Sequence, residues 1–384
     1  MRNVYNLSIR AWLLSLLCLL VGGRAVANEP QLPKPTNDHI TVNDVTLVPG
    51  SADTYQVEIS LVGSQIYTAF QMDIVFPPGV EPVLMRDVYV KLFNTDDNDL
   101  CSSSHTIGVS YGAVKERTLR MSCFSAQNAP FYGKSGKLLY FKVKASPYLK
   151  PGDVVLKVTN FDLITNENAI TKENAQKYHC KDQTLTLHAK AESTATLSVS
   201  GSSHYGTCVL PFAVSTLPAD VKAYSAKGLD DTGQLVVLDE VTQLAAYTPY
   251  ILYSTSGYTG SLKGTVDASQ YGEVVSDGLL RGAIAPQKRK DGYVLQDLGA
   301  GAKFYAMDGV EFLIPEGKCW LEMPVAQASA PQYGIQIGTT TGITAPTTSA
   351  SAHGKIYTLD GKQVKTMQPG AIYVVNGKKV LKIK

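Results

Sequence analysis

The chain has 384 residues, of which 44% are hydrophobic and only 18% are charged, and it contains 32 Gly and 21 Tyr. This composition excludes a disordered or coiled-coil protein and is typical of many short strands joined by turns. Three arginines lie in a first segment that we expect to be removed, and without them the formal net charge falls from +2 to −1. A nearly neutral chain has no long-range field to gather nucleic acid or anionic membrane, and its length predicts at least two domains.

Residues 1–27 predict a cleavable secretory signal peptide. Two arginines lead into a Leu-rich apolar run over residues 11–21, which is shorter than the roughly 20 residues that a membrane-spanning helix needs. Ala25 and Ala27 form the small-residue pattern that signal peptidase recognises, so we predict cleavage before Asn28. The sequence therefore predicts export, with no transmembrane anchor in the mature chain.

Residues 28–38 contain three prolines and are predicted to form a linker. Over residues 39–190, apolar and polar residues alternate, as they do in strands that bury one face. A short helix over Asn166–Tyr178 is the one helical element that the pattern suggests. The alternation is clearest in Tyr55–Leu61, Phe70–Phe76 and Leu139–Ala145.

A second β-rich domain is predicted over residues 191–327. Residues 328–352 are rich in Ser, Thr, Ala and Gly, which predicts a flexible tether. Residues 353–384 combine two strand signals with a basic end and predict a small terminal β-module. The predicted fold class is therefore all-β. The predicted strands of the second domain are Cys208–Phe212, Leu235–Leu238, Tyr250–Tyr253, Tyr293–Gln296 and Cys319–Met323.

Two stretches of the first domain resemble cohesin-like β-sandwiches, which are related in shape to some carbohydrate-binding modules. They are YTAFQMDIVFPPGV at 67–80 and RMSCFSAQNAPFYGKSGKLLYFKVKAS at 120–146. The first reads as a strand that runs into a Pro-Gly turn, and the second as a strand, a loop and a strand. The resemblance covers residues 39–190 and implies a sandwich fold. Cohesins bind dockerin modules through one sheet face, but a fold by itself does not fix a partner.

The second domain is similar to a β-domain found in exported proteins of one bacterial group. The similarity rests on YGTCVLPFAV, VKAY, AAYTPYILY, GYVL and GKCWLEMP, which occur in that order from residue 205 to residue 324.

The end of the chain, GKIYTLDGKQVKTMQPGAIYVVNGKKVLKIK, resembles a type IX secretion C-terminal sorting domain. That resemblance implies passage through the outer membrane and contact with a secretion machinery. The alternative is a small β-module that packs on the preceding domain. The matching positions are Tyr357, Leu359, Gly361, Val364, Gly370, Tyr373 and Lys378–Lys384.

Five cysteines follow the predicted signal peptide. Cys208 and Cys319 lie in the first and last prominent strands of the second domain, so we predict that they are candidates for a disulfide. Such a bridge would close a loop of about 110 residues and stabilise the fold by roughly 4 kcal/mol. The alternative is a pair of buried free thiols. Among Cys101, Cys123 and Cys180, at most one pair can form, and their spacing does not identify it.

The sequence contains no motif for a serine nucleophile elbow, a zinc protease, a phosphate-binding loop or a haem site. The six histidines share no ligand spacing, so neither a metal nor a cofactor is predicted. Asp96, Asp97 and Asp99 are close enough in sequence to hold calcium, but they lack the Gly and distal Glu of an EF-hand loop. A solvated loop is the alternative for them.

Five tyrosines crowd one region of the second domain, where exposed rings would stack on sugars or contact proteins and buried rings would pack on the core. They are Tyr247, Tyr250, Tyr253, Tyr258 and Tyr271. The sequence predicts a non-catalytic binding or scaffolding protein, secreted or held at the cell surface, with a glycan or an envelope protein as its partner. The alternative is a secreted hydrolase for glycans or peptides whose site is assembled only in the fold.

Overall fold

The computed structural model describes residues 33–96, 99–113, 115–166, 175–266, 270–324 and 330–338, and four short strands between residues 356 and 381. All regular elements of these residues are strands, which confirms the predicted all-β class. The described part of the chain contains no helix with the length and apolarity needed to cross a membrane. The predicted cleavage residues Ala25, Ala27 and Asn28 lie outside the described residues.

Thirteen strands form two sheets in the first part of the chain. One sheet has eight strands in the order β1-β12-β11-β5-β9-β8, with β13 beside β11 and β3 beside β13; the other has five, in the order β2-β4-β10-β6 with β7 beside β10. The strands are β1 (Lys34–Thr36), β2 (His39–Val42), β3 (Thr46–Leu47), β4 (Tyr55–Val62), β5 (Ala69–Val75), β6 (Val80–Val83), β7 (Val90–Leu92), β8 (His105–Tyr111), β9 (Thr118–Ser125), β10 (Gly136–Ala145), β11 (Gly152–Ile164), β12 (Lys177–Cys180) and β13 (Gln183–Ala189).

The two sheets enclose one apolar core, and the alternation of residues along the strands explains why. In β4 every second residue from Val57 to Leu61 is buried, and in β5 the same holds from Phe70 to Ile74. Both sets belong to a single cluster of buried side chains. Because successive side chains of a strand point to opposite sides, each sheet contributes one face to the core and leaves the other outside. This arrangement is a β-sandwich, as predicted.

The last part of the predicted linker, residues 34–38, packs with the sandwich. Strand β1 pairs in parallel with β12 at the edge of the eight-stranded sheet, which is where a strand tolerates proline. Asp38 is buried, and its carboxylate accepts hydrogen bonds from the Tyr67 hydroxyl and the Ser64 backbone N–H. The predicted linker therefore contains a strand at Lys34–Thr36 and a buried residue at Asp38.

The predicted helix over Asn166–Tyr178 is wrong at its end, because Lys177 and Tyr178 belong to β12. In that strand, they pair with Ile164 and Leu163 of β11. Residues 167–174 of the predicted helix lie outside the described residues.

The second part of the chain contains a ten-stranded sheet in the order β15-β18-β16-β17-β27-β24-β23-β26-β21-β20, and two strand pairs, β14-β19 and β22-β25. The strands are β14 (Glu192–Val199), β15 (Tyr205–Cys208), β16 (Lys222–Leu229), β17 (Leu235–Val241), β18 (Tyr250–Tyr253), β19 (Tyr258–Thr265), β20 (Val274–Asp277), β21 (Leu280–Ala283), β22 (Gln287–Arg289), β23 (Tyr293–Asp297), β24 (Ala302–Ala306), β25 (Phe312–Ile314), β26 (Cys319–Leu321) and β27 (Gln332–Ile337).

The five predicted strands of this domain overlap observed strands, and of these five only Tyr250–Tyr253 has the predicted bounds. The strand predicted at Cys208–Phe212 ends at Cys208, three residues before Pro211, which cannot donate to a ladder. The tether predicted from residue 328 contains a strand at Gln332–Ile337, where β27 pairs in parallel with β17 and antiparallel with β24. Tyr333 of β27 is 1% exposed and its ring packs edge-on against Tyr293, with 4.9 Å between the centroids.

The sandwich and the second domain are joined through Tyr148, which follows β10 and is 1% exposed. Its hydroxyl donates a hydrogen bond of 2.5 Å to the Val209 carbonyl oxygen. Its ring belongs to a buried cluster with Ile284 and Cys319 of the second domain, and Tyr247 packs against that cluster. The two domains therefore share a small core of their own, which we call the joint.

A second contact at the joint places a carboxyl group in a confined position. The Ser146 hydroxyl donates to Oε2 of Glu316 at 2.8 Å, and both residues line a cavity of about 310 Å³ together with Glu81, Lys144 and Tyr271. Burial raises the pKa of Glu316 to about 7; the Glu81 carboxylate adds to the increase, while the Ser146 hydroxyl and the Lys144 ammonium oppose it.

Residues 339–384 form a separate compact unit. Its described part is an antiparallel sheet of four strands, β28 (Ile356–Thr358), β29 (Gln363–Val364), β30 (Ile372–Val375) and β31 (Lys378–Leu381), in the order β29-β28-β30-β31. Of the positions that carry the resemblance to a sorting domain, Tyr357, Val364 and Tyr373 lie in these strands. Leu359, Gly361 and Gly370 lie outside the described residues.

Replacing Tyr148 with Phe tests the joint. The substitution keeps the ring but leaves the buried Val209 carbonyl without its donor, so we expect the free energy of unfolding to fall by about 1–3 kcal/mol. Urea denaturation measures the change. Tyr132→Phe is the matched control because the Tyr132 side chain is 67% exposed, and an equal loss in both variants would contradict the role of the joint.

Replacing Glu316 with Gln tests the buried carboxyl group. The pKa of Glu316 is about 7 in the folded chain and about 4.5 in the unfolded chain. The favourable contribution of the protonated carboxyl group to stability is therefore complete below pH 4.5 and is lost as the pH rises through about 7. We expect the variant to match the wild type near pH 4.5 and to be more stable above pH 7, by on the order of 2 kcal/mol. Urea midpoints measured across this pH range test the prediction, with exposed Glu273→Gln as the control; parallel wild-type and E316Q curves would contradict it.

Candidate functional site

Seven polar side chains meet on the outer face of the eight-stranded sheet, and we refer to them together as the polar face. They come from β5, β9, β11 and β12, at positions whose strand neighbours point into the core. The cross-strand register places Asp73 opposite Arg120, and Asp162 opposite both Gln71 and His179. The seven residues are Gln71, Asp73, Arg120, Asn160, Asp162, Lys177 and His179.

Asp73 is the centre of the first half of the polar face. Its carboxylate accepts two hydrogen bonds from Arg120, at 2.8 Å from Nε and 2.7 Å from Nη2, and a third from Asn160 Nδ2 at 2.7 Å. The Asp73 side chain is 6% exposed, whereas that of Arg120 is 43% exposed. Burial by itself would raise the pKa of Asp73, but the hydrogen bonds from Arg120 and Asn160 outweigh it and the pKa is lowered. Asp73 is therefore held as a carboxylate.

Asp162 has the same role in the second half. It accepts hydrogen bonds from Lys177 Nζ at 2.7 Å, from His179 Nδ1 at 2.6 Å and from Gln71 Nε2 at 2.7 Å. Burial would raise its pKa, but these three partners lower it below the ordinary value. Its side chain is also 6% exposed, while Lys177 and His179 are about half exposed. Each buried carboxylate thus fixes the inner end of side chains whose outer edges contact solvent.

A bulge in β11 brings the two halves together. The register of β11 against β5 shifts between Thr159 and Asp162, and Asn160 has a positive φ of 52°. Asn adopts this left-handed conformation more readily than most residues, and a bulge redirects the side chain that it carries. The bulge directs the Asn160 amide to Asp73, so one irregular residue links β11 to the Arg120–Asp73 pair.

The polar face presents half-exposed side chains to solvent. Arg120 and Lys177 present donors and His179 presents an imidazole ring. All three side chains are held in place by carboxylates beneath them, so little side-chain entropy is lost when a partner binds. Phe124, on the outward side of β9, is 37% exposed, and Val155, on the outward side of β11, is 39% exposed. An outer sheet face with ordered polar groups and exposed apolar side chains is typical of a protein-binding site.

The two cysteines predicted to form a disulfide are neighbours but are not bonded to each other. Cys208 and Cys319 are both buried free thiols. The Cys319 thiol lies 3.2 Å from the Cys208 carbonyl oxygen and donates to it, so Sγ points to the backbone of Cys208 and not to its side chain. In the structure the predicted disulfide is therefore replaced by the alternative of two free thiols.

The cysteines of the sandwich are also free and buried. The thiols of Cys101 and Cys123 are in hydrogen-bond contact, and this contact together with burial raises the pKa of Cys123. Burial raises the pKa of Cys180 to about 12. These environments favour the protonated thiols of Cys123 and Cys180, and all three cysteines are buried in the core as apolar side chains.

The crowded tyrosines do not share one exposed surface in the described structure. Tyr250 is buried and its hydroxyl accepts a hydrogen bond from the Ala245 N–H. Tyr253 packs edge-on against Tyr205, whereas Tyr247 and Tyr271 lie at the joint. Their distribution supports packing, the alternative that the sequence left open.

The aspartates considered for calcium close a loop. The Asp99 carboxylate accepts the backbone N–H groups of Thr95 and Asp96, both at 2.8 Å, and Asp97 lies outside the described residues. In the part of the chain that the structure describes, no group of three His, Cys, Asp or Glu residues is placed to hold a metal ion.

Sequence reasoning missed the polar face. Alternation correctly predicts that Gln71 and Asp73 point outward, but it does not show which distant strands lie beside them. Lys177 and His179 follow a segment without clear strand periodicity, and Asn160 reaches Asp73 only through a bulge. A polar residue between buried neighbours was the one available signal, and it is common to every sandwich strand.

No protein-family model matches the chain, and no curated protein matches it. Among solved structures, the chain is similar to a non-cellulosomal cohesin from Archaeoglobus fulgidus, with 11% identity over 40% of this chain and 91% of that chain, at a TM-score of 0.27. It is also similar to a type I cohesin–dockerin complex from Clostridium thermocellum, with 16% identity over 40% of this chain and 100% of that chain, at a TM-score of 0.30. A type II cohesin domain from Acetivibrio cellulolyticus matches with 13% identity over 40% of this chain and 95% of that chain, at a TM-score of 0.27.

Replacing Asp162 with Asn tests the electrostatics of the polar face. The lowered pKa of Asp162 means that its contribution to stability is present above the unfolded-state pKa and is lost as the pH falls through the folded-state pKa. At pH 7 we expect the variant to be less stable by about 1.5–3 kcal/mol, the range for hydrogen bonds to a charged group. When stability is measured by urea denaturation, this difference should shrink as the pH falls below the pKa of an ordinary carboxyl group, about 4.

The matched control is Asp153→Asn on the same sheet. Asp153 also pairs with a histidine, His188, but the two side chains are 71% and 53% exposed, so the change should stay below about 1 kcal/mol. A D162N profile that runs parallel to the wild type at every pH would contradict the assignment.

Proposed function

We propose that the chain is an exported, non-catalytic binding or scaffolding protein, and that its polar face docks a protein partner. The observation that carries the proposal is the pair of nearly buried carboxylates, Asp73 and Asp162, which hold Arg120, Lys177 and His179 in fixed positions on an open sheet. A structural role for the carboxylates does not require them to lie together on one outer face. Their grouping supplies an ordered set of donors facing solvent.

The chemistry of the polar face favours a partner that provides oxygen acceptors. The exposed edges of Arg120 and Lys177 are donors, and an arginine fork pairs well with carboxylates or backbone carbonyls. Phe124 and Val155 add apolar contacts within the same sheet face. Interfaces between proteins combine ordered charges of this kind with apolar and aromatic contacts. An acidic segment of an envelope protein fits these requirements.

Export remains part of the proposal and rests on the two ends of the chain. Residues 1–27 have the features of a cleavable signal peptide. The C-terminal unit has the sequence pattern of a type IX secretion sorting domain, and its described strands form a small antiparallel sheet. Together they support a location at the cell surface or outside the cell, with the secretion machinery as a second, transient partner.

To test docking at the polar face, the immobilised protein is used to capture its partner from an envelope fraction. The captured partner is then purified, and its Kd for the protein is measured. Phe124→Ala and Lys177→Ala change exposed or half-exposed side chains, and we expect each to weaken binding by about three- to tenfold. Lys263→Gln, on the second domain and 69% exposed, is the control. A Kd that is the same for wild type, F124A and K177A would contradict docking at this face.

A further inference from the structure

The outer face of the five-stranded sheet, on the opposite side of the sandwich from the polar face, carries a groove that contains two aromatic rings. Two cavities, of about 430 Å³ and about 590 Å³, share Gln56, Lys91 and Tyr140 as lining residues and so lie next to each other. Volumes of this size lie within the range of small-molecule sites in proteins. We call it the aromatic groove and define it by Gln56, Arg86, Lys91, Phe93, Tyr140 and Lys142.

The register of the strands places the aromatic ring among polar side chains. Tyr140 of β10 lies between Glu58 of β4 and Lys91 of β7, and in the next row Lys142 lies opposite Gln56. These residues alternate with buried neighbours in β4 and β10, so they occupy the outward side of the sheet. An aromatic ring is therefore flanked on both sides by groups that donate or accept hydrogen bonds.

The rings are held in place by their neighbours. Phe93 and Tyr140 are half-buried, and their centroids are 5.0 Å apart with the ring planes tilted by 47°. The Lys137 ammonium lies 5.0 Å from the Phe93 centroid and forms an ion pair of 2.9 Å with Glu58. The Glu58 carboxylate in turn accepts a hydrogen bond from Gln56. Lys137 and Glu58 neutralise each other and order the end of the groove.

The charges that line the 430 Å³ cavity are positive, whereas Asp96 lines the neighbouring 590 Å³ cavity. The 430 Å³ cavity is lined by Arg86, Lys91 and Lys142 and, among the described residues, by no carboxylate. None of these three cations forms an ion pair with another described residue. Like charges that converge without a counter-ion repel one another and attract an anionic ligand.

We propose that the aromatic groove binds an acidic polysaccharide, a chain of sugar rings that carry carboxylates such as uronic acids. The half-buried Tyr140 ring offers an apolar face for the C–H side of a pyranose ring, and its hydroxyl and the Gln56 amide suit sugar hydroxyls. Arg86, Lys91 and Lys142 pair with the uronate carboxylates. Because the two cavities share three lining residues, an oligosaccharide bound in one would extend toward the other.

A nucleic acid also combines rings with negative charge, but the whole-chain charge disfavours it. The mature chain predicted from the sequence has a net charge of −1, and nucleic-acid binding draws on many basic contacts with a phosphate backbone. The groove supplies three cations over a short distance, which suits the sparser charge of a uronate polymer. This site is separate from the polar face, so the two proposals stand or fall independently.

Isothermal titration calorimetry of the full-length chain with polygalacturonate at low ionic strength tests the proposal. Neutral dextran and a single-stranded oligonucleotide serve as comparison ligands. We expect polygalacturonate to bind and to bind more weakly as salt is added. The double change Lys91→Gln and Lys142→Gln should weaken binding about tenfold, and Tyr140→Ala should weaken it to a similar degree. Tyr140→Phe, which keeps the ring, should retain most of the affinity.

Lys263→Gln is the matched control, because it removes one exposed lysine from the second domain. Absence of polygalacturonate binding would overturn the proposal. Equal affinity for dextran would show that the cations are not used, and equal or stronger affinity for the oligonucleotide would show a general polyanion surface; both results would also overturn it. Retention of binding by Y140A or by the double lysine variant would place the ligand elsewhere.

Discussion

The requirement that every strand of the sandwich bury one face is the constraint on which the other features depend. Apolar side chains of two sheets fill a single core, so the intervening side chains are forced to the two outer faces. One outer face concentrates buried carboxylates under basic side chains, and the other concentrates aromatic rings among unpaired cations. Two surfaces of different chemistry are thereby fixed on opposite sides of one rigid core, an arrangement suited to a protein that connects two partners.

Local partners decide the charge of each buried carboxyl group. Asp73 and Asp162 are as buried as many apolar residues, yet the hydrogen bonds from Arg120 and Lys177, among others, keep their pKa values low. Glu316 has a hydroxyl as its direct partner, and burial raises its pKa to about 7. The same functional group is therefore a permanent charge at the polar face and a group at the joint that titrates near neutral pH.

The joint connects the sandwich to the second domain by packing as well as by hydrogen bonds. Tyr148 lies in a cluster with Ile284 and Cys319, and its hydroxyl satisfies the buried Val209 carbonyl. A link of this kind gives the two domains a shared apolar contact instead of a flexible connection. Within the second domain, β27 has a comparable role, because it lies between β17 and β24 and so joins two groups of strands into one sheet.

The sequence by itself determined the all-β class and many strands of the sandwich, because alternation such as that from Tyr55 to Leu61 is a local property of the chain. The sequence also predicted that Cys208 and Cys319 lie close together. Only packing decided that the Cys319 thiol donates to the Cys208 carbonyl oxygen. Tertiary structure alone decided that Lys34–Thr36 and Gln332–Ile337 are strands, since their partners are distant in sequence. The polar face was equally hidden, because its carboxylates and their basic partners come from four strands that only the folded sheet places side by side.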